Sequence, residues 1–196
     1  MKLQITLIRN GITAGGLEGR FMGLSGEGLT AAGRAELEHF AQSGHYPQVA
    51  RVFVSPVRRC MESARIIYPD QLHAIEKGLR ALDYGDFENR TYGEILGDER
   101  FLKWADSPHL LACPGGEEPH DFTVRCVVTF DNIVKLMDKK KIPNVALVTH
   151  QGVIKAILNR YCLPRSVYSA WKVCYGGGYT LDFNTESSSA RILREF

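Results

Sequence analysis

The chain has 196 residues and no apolar run close to the roughly 20 residues needed to span a bilayer. Its amino terminus also lacks the layout of a signal peptide, because Gln4 and Arg9 interrupt the first apolar segment. The net charge is only +2, so there is no strong field of one sign for nucleic acid or an anionic membrane. These absences predict a globular protein that has neither nucleic acid nor a membrane among its partners.

Closely spaced cysteine pairs are missing as well. The five cysteines are odd in number and none forms a CxxC pair, which argues against a disulfide framework and against a zinc site. They are expected to be reduced, mostly buried thiols of a cytoplasmic protein. We also expect no metal and no cofactor. The cysteines are Cys60, Cys113, Cys126, Cys162 and Cys174.

Strand-like apolar runs alternate with helix-like segments along the chain. Such alternation predicts an α/β domain with a mostly parallel sheet. The predicted strands are 3–8, 52–55, 145–149, 179–183 and 190–196, and the predicted helices are 29–44, 57–67, 120–137 and 152–163.

The length is that of a single domain, 1–196. Residues 79–119 contain Gly, Pro and Trp and lack a regular period, so they are expected to form a lid or cap. Within this region, Glu117 and Glu118 are expected to be solvated loop residues.

Charged and polar side chains follow three of the predicted strands, where ligands bind in parallel sheets. Arg9, together with Arg58 or Arg59, could grip an anion bidentately. The amides around Gln151 begin a helix, which favours an anion, and His150 beside them could donate a hydrogen bond to it. Each residue alone is more often structural or solvated. Their joint placement at three strand ends predicts a phosphate pocket.

Glycine is concentrated between the first strand and the first helix. Residues 11–28 contain seven glycines, so the backbone there can approach a ligand closely. Glycine-rich loops are also common as simple turns, and no GxxxxGK[ST] sequence is present.

Five motifs spread over residues 3 to about 183 resemble those of the histidine phosphatase superfamily, in the family's order. They are LIRNGIT…GRFMG, SPVRRCMESA, LDYGDFENRTYGEI, PGGEE and LVTHQGVIKAIL. Within the superfamily, GDFENR and THQGV resemble the α-ribazole phosphatases of cobalamin assembly. The resemblance implies a phosphoglycerate mutase-like fold, a three-layer α/β sandwich with a mostly parallel central sheet and a small lid. It also implies a phosphorylated small molecule or inorganic phosphate as ligand.

The resemblance implies a mechanism too. In the family, a histidine directly after the first arginine attacks phosphorus, two arginines and a second histidine hold the phosphoryl oxygens, and an acid protonates the leaving oxygen. Arg9, Arg59 and His150 match the holding positions, and the spacing from Ser55-Pro56 favours Arg59 over Arg58. No metal is needed, because the arginines neutralise the phosphoryl charge.

The chain departs from this pattern at four positions. The nucleophile position is Asn10, whose amide nitrogen cannot carry a stable phosphoryl group. The usual Glu and Asn of the first motif are Ile12 and Gly16, and the acid position is Ala81. Asp83 lies close by in sequence as a possible substitute acid. These departures predict a poor or inactive phosphatase.

Three functions remain open from the sequence. The chain could bind a phosphate or phosphomonoester without turnover, or it could be a working phosphomonoesterase that uses His150 or Asp83 by an unusual route. It could also be a regulatory or interaction module that has lost its ligand. A working enzyme needs an acid within reach of the leaving oxygen, and that position holds Ala81.

Overall fold

The computed structural model describes residues 2–108, 110–164 and 168–196. Its strands are β1 (Lys2–Arg9), β2 (Arg51–Val54), β3 (His73–Ile75), β4 (Asn144–Thr149), β5 (Gly178–Asn184) and β6 (Ser189–Glu195). Its α-helices are α1 (Ala14–Leu17), α2 (Ala31–Gln42), α3 (Arg58–Ile67), α4 (Tyr92–Ile95), α5 (Glu99–Asp106), α6 (Pro119–Lys140) and α7 (Gln151–Tyr161). Short 3-10 turns lie at Lys77–Leu79, Gly85–Phe87 and Tyr168–Ala170.

All six of these strands form one sheet, in the order β3-β2-β4-β1-β5-β6. Strands β3, β2, β4 and β1 run parallel to one another, whereas β5 is antiparallel to both β1 and β6. The predicted α/β fold with a mostly parallel sheet is therefore confirmed. No helix in the described part of the chain is both long and apolar enough to cross a membrane.

Helices cover both faces of the sheet, which gives three layers. Successive strand side chains point to opposite faces, so Leu7 and Ile8 of β1 belong to two different buried clusters. The cluster around Leu7 includes Phe130 of α6 and Ile157 of α7. The cluster around Ile8 includes Leu37 of α2, together with residues of α3.

The helix boundaries follow local signals in the sequence. Helix α2 begins where the Thr30 side chain accepts a hydrogen bond from Gly33 N. It ends next to Gly44, whose φ of +72° is the left-handed conformation that a glycine stop provides. Helix α6 starts with Pro119, a residue favoured in the first turn because it lacks an N–H group. The main predicted helices lie within one to three residues of the observed ones.

Several features differ from the sequence analysis. Helices α1, α4 and α5 were not predicted, and α4 and α5 lie in the segment expected to be irregular. Strand β3 was not predicted, because three residues are too few to show an alternating hydrophobic pattern. It is stabilised by pairing with β2. Glu117 is not solvated. Its side chain is only 11% exposed and pairs with both Arg80 and Arg125, with Arg125 Nη2 2.7 Å from its carboxylate. Burial by itself would raise the pKa of Glu117, but hydrogen bonds from Arg125 and the two positive charges lower it overall.

Residues 79–119 contain a small apolar core of their own. It consists of Phe87, Ile95, Phe101 and Cys113, with Phe21, Tyr84 and Trp104 packed against it. This core is separate from the two clusters that flank the sheet.

The separate small core predicts that this region can open without the sheet. Replacing a buried Phe by Ala costs about 3–5 kcal/mol. We expect Phe101→Ala to raise deuterium uptake across α4 and α5 while the amides of β1 and β4 stay protected. Phe130→Ala is the matched control, and it should raise uptake in the sheet because it lowers global stability. Equal deprotection of β1 and β4 by both variants would show that the small core does not open independently.

Candidate functional site

Strand register brings the three predicted strand ends together. Strand β4 lies between β1 and β2, and Arg9 at the end of β1 pairs with Thr149 at the end of β4. The next backbone groups continue this register: Asn10 N donates to Thr149 O at 3.0 Å, and Ser55 N donates to Val148 O at 3.0 Å. The residues that follow β1, β2 and β4 therefore share one edge of the sheet.

A cavity of about 200 Å³ lies at this edge. Its lining includes five residues that the sequence analysis named as candidates for the phosphate pocket: Arg9, Asn10, Arg59, His150 and Gln151. The structure thus brings these side chains into a single site. The lining also includes residues to which the sequence assigned no role: Thr13, Arg20, Met22, Tyr84 and Tyr175.

His150 is the neutral centre of a buried hydrogen-bond chain. Arg59 Nη2 lies 3.1 Å from its Nδ1, and Ser55 Oγ lies 2.8 Å from its Nε2. Because a guanidinium can only donate, we assign Nδ1 as the acceptor and Nε2–H as the donor to Ser55. Burial, followed by the charges of Arg59, Arg125 and Arg9, lowers the pKa of His150 well below 6.5.

Arg59 and its neighbour Arg58 point to different surroundings. Arg59 Nη2 donates to Gly23 O at 2.8 Å and to Met22 O at 3.1 Å, so it also holds the glycine-rich loop over the site. Burial lowers the pKa of Arg59. Arg58 instead pairs with Glu62 at 2.8 Å, and its side chain is 62% exposed. Only Arg59 of the pair lines the cavity.

Arg9 is held from two sides. Its Nη1 donates to Val173 O at 2.6 Å, and its Cζ lies 3.6 Å from the centre of the Tyr175 ring. Burial lowers the pKa of Arg9, and the interaction with Tyr175 counters that effect in part. These contacts fix the guanidinium at the cavity wall.

Asn10 is buried and locally bonded. Its Nδ2 donates to Gly11 O at 2.8 Å, and its Oδ1 lies 4.0 Å from Cys60 Sγ. Burial raises the pKa of Cys60 to about 12, so this thiol stays protonated at neutral pH. Neither side chain offers a ready nucleophile to the cavity.

All five cysteines are free thiols, and Cys174 is the exposed one. The expectation that the cysteines are mostly buried is therefore confirmed. Within the described ranges, no group of three or more His, Cys, Asp or Glu side chains is arranged to hold a metal ion.

Asp83 lies outside the cavity, although Ala81 two residues earlier is part of its lining. The Asp83 carboxylate accepts a hydrogen bond from Gly85 N at 2.9 Å, which closes a local turn. Arg125 Nη2 donates to Ala81 O at 3.2 Å and fixes that backbone. The structure therefore does not bring Asp83 to the place where a substitute acid would be needed.

Tyr175 is the most informative residue that sequence reasoning missed. It directly precedes three glycines, Gly176 to Gly178, and such a run indicates close backbone packing. The backbone does pack closely, because Arg9 N donates to Gly177 O at 2.9 Å. The glycine run was therefore a usable signal for a residue beside Arg9.

The profile of the histidine phosphatase superfamily (branch 1) matches residues 5–193 of the chain. The chain therefore belongs to this superfamily, as the order of its motifs and the edge of the sheet where they meet both indicate.

Its sequence identity to individual proteins is between 20% and 24% for the three that follow. It is 24% identical to an adenosylcobalamin/alpha-ribazole phosphatase of Escherichia coli (strain K12), over 97% of this chain and 95% of that protein. The crystal structure of the alpha-ribazole phosphatase from Shigella flexneri has a TM-score of 0.85 at 22% identity, covering 99% of this chain and 96% of that one. A phosphoserine phosphatase from Entamoeba histolytica, in complex with 3-phosphoglyceric acid, has a TM-score of 0.77 at 20% identity, covering 98% and 96%.

The lowered pKa of His150 predicts a pH-dependent stability. Below pH 6.5 the unfolded chain protonates this histidine but the folded chain does not, so the free energy of unfolding falls as pH falls. This one group can contribute at most about 1.4 kcal/mol per pH unit. His150→Gln keeps an acceptor and a donor but cannot titrate. Urea unfolding from pH 5 to 7.5 should give a shallower pH dependence for the variant, and parallel profiles would contradict a neutral His150.

Proposed function

We propose that this chain binds a phosphate or phosphomonoester in the cavity and has weak or no phosphatase activity. The observation that carries the proposal is the convergence of Arg9, Arg59 and His150 on one cavity whose nucleophile position is Asn10. By its similarity to α-ribazole phosphatases, the ligand is a phosphorylated small molecule related to cobalamin assembly, and the protein acts in the cytoplasm. We further propose that residues 79–119 serve as the lid of the site.

The charge of the cavity favours an anion. Its described lining includes Arg9 and Arg59 and no Asp or Glu. A third arginine of the lining, Arg20, is already paired with Glu18 and Glu94. Helix α7 begins at the cavity with Gln151, and no side chain caps its first N–H groups. Uncapped N–H groups at a helix start, next to fixed guanidinium groups, suit a tetrahedral oxyanion.

The chemistry of the same cavity opposes turnover. The family route needs a nucleophilic nitrogen, whereas Asn10 offers a non-basic amide. It also needs an acid for the leaving oxygen, whereas Ala81 offers a methyl group. Losing one such group typically costs several orders of magnitude in rate.

The alternative of an active phosphomonoesterase has less support. As a nucleophile, His150 would need a free lone pair, but Arg59 engages its Nδ1 and Ser55 its Nε2. The Asp83 carboxylate is already bonded to the turn at Gly85.

A module without any ligand is the remaining alternative. Backbone carbonyls accept hydrogen bonds from the guanidinium groups of Arg9 and Arg59, so the cavity does not need an anion to satisfy all of their donors. A measurement of phosphate binding distinguishes this alternative from the proposed function.

Arg58 and Arg59 allow a matched test of anion binding. Arg59→Gln removes a cationic donor from the cavity, so we expect inorganic phosphate to bind about 10- to 100-fold more weakly by isothermal titration calorimetry. Arg58→Gln removes the same charge from the adjacent exposed position and should leave the affinity within about twofold. If wild-type protein takes up no phosphate at millimolar concentration, the module without a ligand is the better description. Equal losses in both variants would indicate a general charge effect instead of a defined site.

Phosphatase activity can be tested by restoring the two missing groups. With p-nitrophenyl phosphate, we expect wild-type protein to stay near the buffer blank. Asn10→His should give slow turnover, and Asn10→His combined with Ala81→Glu should be faster by at least about 100-fold, because it adds the general acid.

The informative control is Asn10→Gln with Ala81→Glu, which adds bulk and the acid but no nucleophile and should remain silent. Wild-type turnover well above the blank that His150→Ala abolishes would contradict the proposed loss of catalysis and revive the unusual route.

A further inference from the structure

The ring of Tyr175 stacks on Arg9, an arginine of the cavity wall. Its ring centre lies 3.6 Å from Arg9 Cζ, well within the range of a cation–π contact. Both residues line the cavity. The orientation of the Arg9 guanidinium therefore depends on where the Tyr175 ring sits.

The backbone holds Tyr175 at the end of β1. Gly176 N donates to Asn10 O at 3.3 Å, and Arg9 N donates to Gly177 O at 2.9 Å. Gly176 has a φ of +69°, a conformation that favours glycine. Tyr175 is thus placed by the same backbone that places the first motif, and not by a loose loop.

The Tyr175 hydroxyl occupies the space beside Gly16. A Cβ on Gly16 would overlap this hydroxyl and would lie 3.0 Å from Thr13 Oγ1. Thr13 Oγ1 already accepts a hydrogen bond from Gly16 N at 3.1 Å. Gly16, Thr13 and Tyr175 all line the cavity, so the hydroxyl stands where a longer side chain at residue 16 would otherwise reach.

We propose that the Tyr175 hydroxyl donates a hydrogen bond to the oxyanion bound in the cavity, and that Gly16 is required to leave it room. A phenol hydroxyl donates one hydrogen bond while it still accepts others, so it can serve an anion beside a guanidinium. Tyr175 is then an anion-binding residue additional to Arg9 and Arg59, whereas His150, whose N–H is donated to Ser55, positions Arg59. This inference rests on the proposed function, because it concerns the same anion.

Removing the hydroxyl alone tests the proposal. Tyr175→Phe keeps the ring on Arg9, and we expect inorganic phosphate to bind at least about tenfold more weakly by isothermal titration calorimetry. Tyr175→Leu also removes the stacked ring and should weaken binding further. Tyr68→Phe is the matched control, because its hydroxyl donates to Pro47 O outside the cavity lining. It should leave the phosphate affinity unchanged.

A double-mutant cycle tests the role of Gly16. Gly16→Ala should displace the Tyr175 hydroxyl and weaken phosphate binding by about the same factor as Tyr175→Phe. In the Tyr175→Phe background the same alanine meets no hydroxyl, although it still lies close to Thr13 Oγ1 and ring carbon Cζ, so its further effect should be clearly smaller than in wild type. Additive losses would mean that Gly16 acts independently of Tyr175 and would overturn that part of the proposal.

The outcomes separate this inference from the function on which it rests. Thermal unfolding without phosphate shows whether each variant is folded. If Tyr175→Leu does not fold, the phosphate affinity of Tyr175→Phe alone tests the role of the hydroxyl. If wild type and Tyr175→Phe bind phosphate equally, the role of Tyr175 is wrong while the proposed function stands. If wild-type protein does not bind phosphate at all, both are overturned.

Discussion

The parallel register of β1 on β4 is the constraint on which the candidate site depends. It sets Arg9 level with Thr149, and the next residues on each strand then meet at one edge of the sheet. The pairing of β2 with β4 brings Ser55 to the same level, where it contacts His150. A shift of one residue in either pairing would turn these side chains to the opposite face of the sheet, so they would no longer line one cavity.

Two features of the cavity reduce the free-energy cost of burying the positive charges of Arg9 and Arg59. Backbone carbonyls and the Tyr175 ring satisfy part of Arg9 and Arg59, and His150 stays neutral between Arg59 and Ser55. Burial still lowers the pKa of both arginines, so an anion that enters would restore favourable electrostatics. The site can therefore persist empty and yet remain suited to a phosphoryl group.

In the proposed function, binding and bond breaking depend on different residues. The holding groups sit on strand ends and a helix start, and the hydrogen bonds that fix them also support the fold. The chemical positions, Asn10 and Ala81, are held mainly through their backbones: Asn10 N donates to Thr149 O, and Ala81 O accepts from Arg125.

The sequence by itself determined β1, β2, β4, β5 and β6 and the helices α2, α3, α6 and α7, because hydrophobic period, helix caps and strand-end residues are local signals. It also identified Arg9, Asn10, His150 and Gln151 as residues that meet. Tertiary structure alone decided the rest: β3 forms only against β2, and Asp83 faces a turn instead of the cavity. It also placed Tyr175 beside Arg9, more than 160 residues away along the chain. Such outcomes depend on contacts between distant segments, and side-chain direction in loops has no period from which it could be read.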